Sequence, residues 1–272
     1  MTRPATKRSN NPSIHPTPED SHLSIDPNTY EYASDILKGR VILVTGATDG
    51  IGRALALHAA ELGAQVIIHG RSTKKLEEVY DEIEAIKGAP RPSIAVLDLS
   101  IADGDAYASL AESIEKEFGR LDGLVHNAGI LGPRLSIEQY EITDWQRVLH
   151  VNLTAPFVLT QQLFPLLQKS EDPSVIFTSS GVGRVGKPFW GAYSVSKFGT
   201  ESLSQMLAAE NSHTPLRSNC INPGPIRTKM RLEAYPAEDR DALKKPEDIM
   251  PAYVYLLGPD SKGVTGKSID IE

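Results

Sequence analysis

The chain holds a single cysteine, Cys220, among 272 residues, which excludes an internal disulfide framework and a multi-cysteine metal site. No apolar run approaches the roughly 18 residues needed to span a bilayer. The N-terminus has no apolar stretch of the secretory-signal kind. Charge of one sign is not in large excess either. A formal net charge of −7 argues against a nucleic-acid surface and fits a mildly acidic soluble protein. The expectation is a cytoplasmic protein with no metal, no nucleic-acid partner and no membrane association.

Residues 1–35 lack a periodic apolar face. Pro4, Pro12, Pro16, Pro18 and Pro27 punctuate a stretch rich in Ser, Thr and Asn. Such composition buries too little surface to offset the entropy of ordering, so it reads as a flexible tail, dispensable over residues 1–30. An organelle transit peptide is the alternative, but no amphipathic face supports it. Tyr30–Lys38 is expected to form a short helix, and residues 36–272 a single domain.

Beyond the tail, strand and helix patterns alternate without a repeat. Val41 opens the first apolar run, and further strands are expected at Val66–His69, Ser93–Leu97, Leu121–His126, Val175–Ser179 and Leu216–Ile221. Cys220, on the last of these, is expected to be a buried small side chain. Between them, sets such as Leu76, Val79, Ile83 and Ile86 recur at helical spacing. One helix carries Trp145, Leu149 and Asn152, with a kink expected at Pro156. A late helix opens at Pro246 and closes before Gly258. Alternating βα units predict an α/β fold with a parallel sheet, helices on both faces, and ligands beyond the strands' carboxyl ends.

Two local patterns carry chemistry. Tyr193 and Lys197 are four apart and so share one helix face. A cation beside a phenol favours phenolate and turns a weak acid of pKa about 10 towards acid–base work. Upstream, the run Val41 to Thr45 breaks into Gly46-Ala47-Thr48-Asp49-Gly50-Ile51-Gly52, then continues at helical spacing. Strand, glycine turn and helix N-terminus together hold a dinucleotide pyrophosphate, because glycine permits close backbone approach and the helix start offers unpaired N–H groups.

With His126-Asn127-Ala128-Gly129, Asn152, Ser180 and Pro223-Gly224 added in order, the chain resembles the classical short-chain dehydrogenase/reductases from Val41 to about Gly266. Within them it resembles the YciK-type oxidoreductases, through Phe177–Arg184, Trp190–Tyr193 and Asn219–Gly224. The resemblance implies a Rossmann-type doubly wound sheet of about seven strands in the order 3-2-1-4-5-6-7. It makes Tyr193 the general acid/base and Lys197 the partner that lowers its pKa and bonds the cofactor ribose. Ser180, thirteen residues before the tyrosine, would bond the substrate oxygen in preference to Ser179, and Asn152 would hold a water relaying protons to Lys197. Gly46, Thr48, Asp49, Gly50, Ile51, Gly52, Asn127, Ala128, Gly129, Pro223, Gly224, Ile226 and Thr228 would line the nicotinamide cofactor, with Asp98 and Leu99 on its adenine side. Relatives pair through helices beginning near Thr143 and Tyr193, which implies a homodimer or homotetramer.

Gly70 stands where the family's NAD-selective members place an acid, and Arg71 follows, suited to a phosphate monoester. NADP(H) is therefore preferred and NAD(H) is possible; Asp49 stands where many NADP-using relatives carry a base. His126, in place of the family's first Asn, is read as a structural brace. The interval from Thr228 to Pro246 is short for the region that forms the substrate lid. Leu131, Arg184, Phe189, Trp190, Met230 and Tyr235 are the candidates to face substrate. The expected activity is NADPH-dependent reduction of a small-molecule aldehyde, ketone or quinone. An NAD-dependent alcohol dehydrogenase and a non-catalytic NADP(H)-binding sensor are the alternatives.

Overall fold

Seven short apolar runs pair as parallel strands: β1 (Val41–Thr45), β2 (Gln65–Gly70), β3 (Ser93–Val96), β4 (Gly123–His126), β5 (Ser174–Thr178), β6 (Arg217–Asn222) and β7 (Ser268–Asp270). They form one sheet in the order β3-β2-β1-β4-β5-β6-β7, as the resemblance implied. A computed structural model of the protein describes residues 26–271. Every residue of β1, β4 and β5 is buried, as expected of strands covered on both faces. Register is parallel throughout, with Val41 opposite Gln65 and Ser174 opposite Arg217.

Helices α1 (Gly50–Glu61), α2 (Thr73–Glu84) and α8 (Met250–Leu257) belong to one face, and α3 (Gly104–Phe118), α5 (Ala155–Leu167) and α6 (Gly191–Glu210) to the other. Leu55, Ala59 and Ile83 bury against the first face, Tyr107, Leu159, Leu163 and Leu207 against the second. Two shorter helices, α4 (Ile142–Leu149) and α7 (Lys229–Ala234), stand near the carboxyl edge. Opposite that edge, Asp172 bridges Arg40 (3.0 Å) and Arg217 (3.1 Å). Asp122 accepts the Val41 amide at 2.8 Å. This buried ionic knot ties the starts of β1, β5 and β6, and no local pattern announced it. No described helix is long and apolar enough to cross a membrane.

Two expectations change. The helix expected to run through Pro156 is two helices, α4 and α5, with Pro156 in the first turn of α5. Between them lies the turn of π-helix His150–Thr154. Proline has no N–H for the carbonyl four residues back, so the Asn152 carbonyl is freed, and the Thr200 hydroxyl reaches it at 3.5 Å. The tail boundary at residue 35 also moves. Residues 1–25, where most of that expectation falls, lie outside the described residues. Tyr30, however, is buried, donates to Asp260 at 2.6 Å and stands edge-on to Tyr255. Tyr32 shares a 2.7 Å hydrogen bond with His58 of α1. Residues 34–39 form turns rather than the expected helix. The packed chain therefore includes Tyr30, whose removal would open the core.

Candidate active site

The glycine turn after β1 is shaped by what cannot fit in it. Gly46 has φ 67° and Gly50 φ 53°, values that favour glycine. A Cβ at Gly46 would lie 2.9 Å from Ala128 Cα, and one at Gly52 would overlap the Gly46 carbonyl and the Asn127 amide. Asn127 holds the turn, donating to the Thr45 carbonyl at 3.1 Å. The Thr45 hydroxyl accepts the amides of Asn127 (3.0 Å) and Ala128 (3.1 Å). Asp49 caps α1, accepting the Gly50 amide at 2.8 Å. The amides of Ile51 and Gly52 follow in the first turn of α1, where the ladder leaves N–H groups open to an anion. A cradle that side chains would fill, ending on a helix N-terminus, fits a dinucleotide pyrophosphate.

Around the cradle lie the other residues assigned to a cofactor. The Thr228 methyl is 3.2 Å from a Cβ built on Gly50, so the start of α7 sits over the glycine turn, with Thr228 capping that helix. Ile226 is buried, and Gly224 has φ 69° with the Ile271 carbonyl against it. At the end of β2 any side chain on Gly70 would press on the Thr48 methyl (2.9 Å), so an acid here would have to displace Thr48. Arg71 is exposed. Hydrogen bonds from Ser100 hold Asp98 below the ordinary carboxylate range, with the charge of Arg71 adding to them. Leu99 is buried beside it.

The reactive side chains converge between β4, β5 and α6. Tyr193 and Lys197 are both buried in the first turns of α6. Lys197 Nζ donates to the Thr178 carbonyl at 2.6 Å and lies 5.6 Å from the Tyr193 ring centroid. Gly129 approaches both Asn152 Oδ1 and Lys197 Nζ, 3.4 Å and 4.0 Å from where its Cβ would be. The Asn152 amide is fully engaged, receiving from Ile130 N (2.8 Å) and donating to Ile130 O (2.9 Å) and Ser196 (3.1 Å). Its side chain braces the loop after β4.

The expected lowering of the phenol by Lys197 is not what this site does. Burial pushes the Tyr193 phenol up to about 12, with the Ser180 hydroxyl acting in the opposite direction. The cation sits over the ring, bound to a carbonyl, not at the hydroxyl. Burial likewise brings Lys197 down to about 8. The resting pair is thus a neutral phenol beside an ammonium that titrates near neutrality. The Ser179 hydroxyl is buried without a hydrogen-bond partner among the described residues.

His126 is the brace expected of it, sharing a 2.8 Å hydrogen bond with Thr160 and stacked on Phe177, with burial lowering its pKa to about 3. Of the substrate-facing candidates, Leu131, Trp190, Met230 and Tyr235 gather with Tyr193 in one apolar cluster. Arg184 does not join them. Its guanidinium binds Asp270 (2.5 Å), Glu201 (3.6 Å) and Ser268, fastening α6 to β7. Phe189 is exposed at φ 67°, a strained value for a bulky residue, two residues before α6. Arg134, between Trp190 and Tyr235, went unremarked in the sequence, where a lone loop arginine gives no signal.

The short chain dehydrogenase family profile matches residues 40–239. The oxidoreductase YciK of Escherichia coli K12 is 47% identical over 243 residues, which are 89% of this chain and 96% of that protein. A short chain dehydrogenase of Escherichia coli CFT073, solved in complex with NADPH, superposes with a TM-score of 0.86 at 47% identity, covering 89% of this chain and 100% of that one. One from Shigella flexneri 2a, complexed with NADP, gives 0.86 at 47% identity, covering 88% and 99%.

Proposed function

The chain belongs to the short-chain dehydrogenase family, and on that premise we propose that it is an NADP(H)-dependent reductase of a small carbonyl compound, an aldehyde, ketone or quinone. The observation that carries this reading is the buried pair on α6, Tyr193 with Lys197 Nζ 5.6 Å from its ring centroid, at the same sheet edge as the glycine cradle. Gly46, Gly50, Gly52 and the first turn of α1 would hold the pyrophosphate, Arg71 the ribose phosphate, and Ile226 and Thr228 the nicotinamide end. The cofactor, when bound, supplies hydride to the carbonyl carbon.

Tyr193 donates its proton to the carbonyl oxygen, and a phenol of pKa about 12 is in the protonated state that a general acid needs. Ser180 donates to the same oxygen and orients it. Lys197, charged below about pH 8, offsets the phenolate that remains and can return a proton to it. Complexes of relatives with NADP and NADPH support the cofactor choice, as do the Gly70 turn, where an acid would have to displace Thr48, and the free Arg71. Exposed Phe157 on α5 and Val195, Phe198 and Met206 on α6, each 43–51% accessible, support a homo-oligomer through those helices.

The test is turnover of aldehydes, ketones and quinones with NADPH and with NADH, followed by nicotinamide absorbance. Faster turnover with NADPH is expected. No turnover with either cofactor on any carbonyl would leave a binding protein, and equal use of both would remove Arg71 from the assignment.

A further inference from the structure

We propose that the carbonyl substrate of this site also carries a carboxylate, and that Arg134 is the residue that recognises it; this rests on the reductase reading above. Arg134 lies in the loop between β4 and α4. Its guanidinium carbon is 4.7 Å from the Trp190 ring and 4.9 Å from the Tyr235 ring. Trp190 in turn is 5.7 Å from the ring of Tyr193. Two aromatic contacts therefore separate this cation from the general acid, within the cluster that holds Leu131, Tyr193 and Ala234.

What sets Arg134 apart is its missing partner. The partly buried guanidinia of Arg40, Arg184, Arg217, Arg227 and Arg231 all meet carboxylates. Arg134 is also partly buried, yet no carboxylate among the described residues pairs with it. Its Nη1 donates to the Ala234 carbonyl, its Nε is buried without an acceptor, and no acceptor among the described residues reaches Nη2. A buried Nε with no acceptor, on a cation with no counter-ion among the described residues, is costly. The faces of Trp190 and Tyr235 offset part of that cost, and they also fix the plane of the fork.

A substrate carboxylate would supply the missing charge at Nη2 while its carbonyl lies at Tyr193. A phosphate fits less well. Its second charge would need another free cation, and Arg231, which also lies against the Tyr235 ring at 4.0 Å, is already neutralised by Glu238. Gly132, at φ 69° with the Tyr140 hydroxyl 2.8 Å from where its Cβ would be, holds the loop that presents Arg134.

The experiment compares matched pairs with NADPH: para-carboxybenzaldehyde and its methyl ester, and succinic semialdehyde and its methyl ester. The wild-type protein should favour the carboxylate member in kcat/KM by at least about 10-fold, the scale of one charge-assisted hydrogen bond. In Arg134→Gln that preference should fall to within about 3-fold of unity, mainly through KM, and Arg134→Lys should restore part of it. If Arg134 only staples Ala234 and Tyr235, the substitution lowers both members in proportion and leaves the ratio intact, which overturns the proposal. So does a wild-type ratio near one, which needs no variant to fold. Reduction of esters without carboxylate preference sinks this inference alone; absence of reduction of any carbonyl removes the reductase reading with it.

Discussion

Around β1 and β2 the protein keeps side chains out, whereas around β5 and α6 it packs them in. Gly46, Gly50, Gly52 and Gly70 each stand where a Cβ would press on a neighbour, so the cradle is made of backbone and the start of α1. On the other side Tyr193, Lys197 and Asn152 are all buried, and their chemistry depends on what surrounds them. The first region needs space and N–H groups, which are properties of geometry. The second needs charge states, which are properties of burial. Substitutions should therefore fail differently on the two sides.

The largest effect is expected at Tyr193. Tyr193→Phe removes the acid with little change in packing, so kcat should fall by about 10²-fold or more while NADPH still binds. Near-normal turnover would erase the distinction between the two regions, because the side-chain half would then do no chemistry. Next is Arg71 at the rim of the cradle. Arg71→Ala should weaken NADPH by roughly 1.5–3 kcal/mol and spare NADH, as measured by titration calorimetry; equal losses would mean the residue only shapes the loop.

Gly52→Ala sharpens the contrast from the other side. The added methyl meets backbone that cannot move aside cheaply, so about 1–3 kcal/mol of stability should go, together with cofactor affinity. A variant with unchanged melting and NADPH affinity would show that the cradle is looser than its contacts indicate. A pH profile then tests the charge argument. Lys197 loses its proton above about pH 8, so kcat/KM for carbonyl reduction should decline as pH rises through that value; a flat profile to pH 10 would remove its charge from the mechanism.

The smallest effect concerns His69, buried in β2 with both ring nitrogens unpartnered and a pKa lowered to about 4 by burial. The unfolded chain binds a proton below about 6.5, the ordinary imidazole value, that the folded chain refuses until about 4, so stability falls as pH drops through that window. His69→Phe should flatten the fall in melting temperature between those values. An unchanged slope would place the acid sensitivity elsewhere, His126 being the next candidate.

The fold was largely legible, because alternation of strand and helix patterns leaves few arrangements for a parallel sheet. The cradle was legible for a related reason, since glycines mark places where backbone must come close. The side-chain half was legible in its members and not in their state. Tyr193 and Lys197 announced themselves by spacing, yet the carbonyl that Lys197 grips comes from Thr178 on β5, and the burial that raises the phenol comes from Leu131, Val148, Trp190 and Ala234. Arg184 looked like a substrate contact until Asp270 and Glu201 came to it from other elements. Tyr30 read as tail because its partners, Asp260 and Tyr255, lie more than 200 residues away.

Periodicity, turn chemistry and the i,i+4 pairing of Tyr193 with Lys197 are local, so the sequence by itself determined the order of elements, the glycine cradle and the placing of Tyr193 and Lys197 on one face of α6. Charge state, the Lys197 contact with the Thr178 carbonyl and the unpaired Arg134 were decided only by tertiary structure. Each depends on which distant groups exclude water or supply a counter-charge, and that is a property of packing rather than of neighbours along the chain.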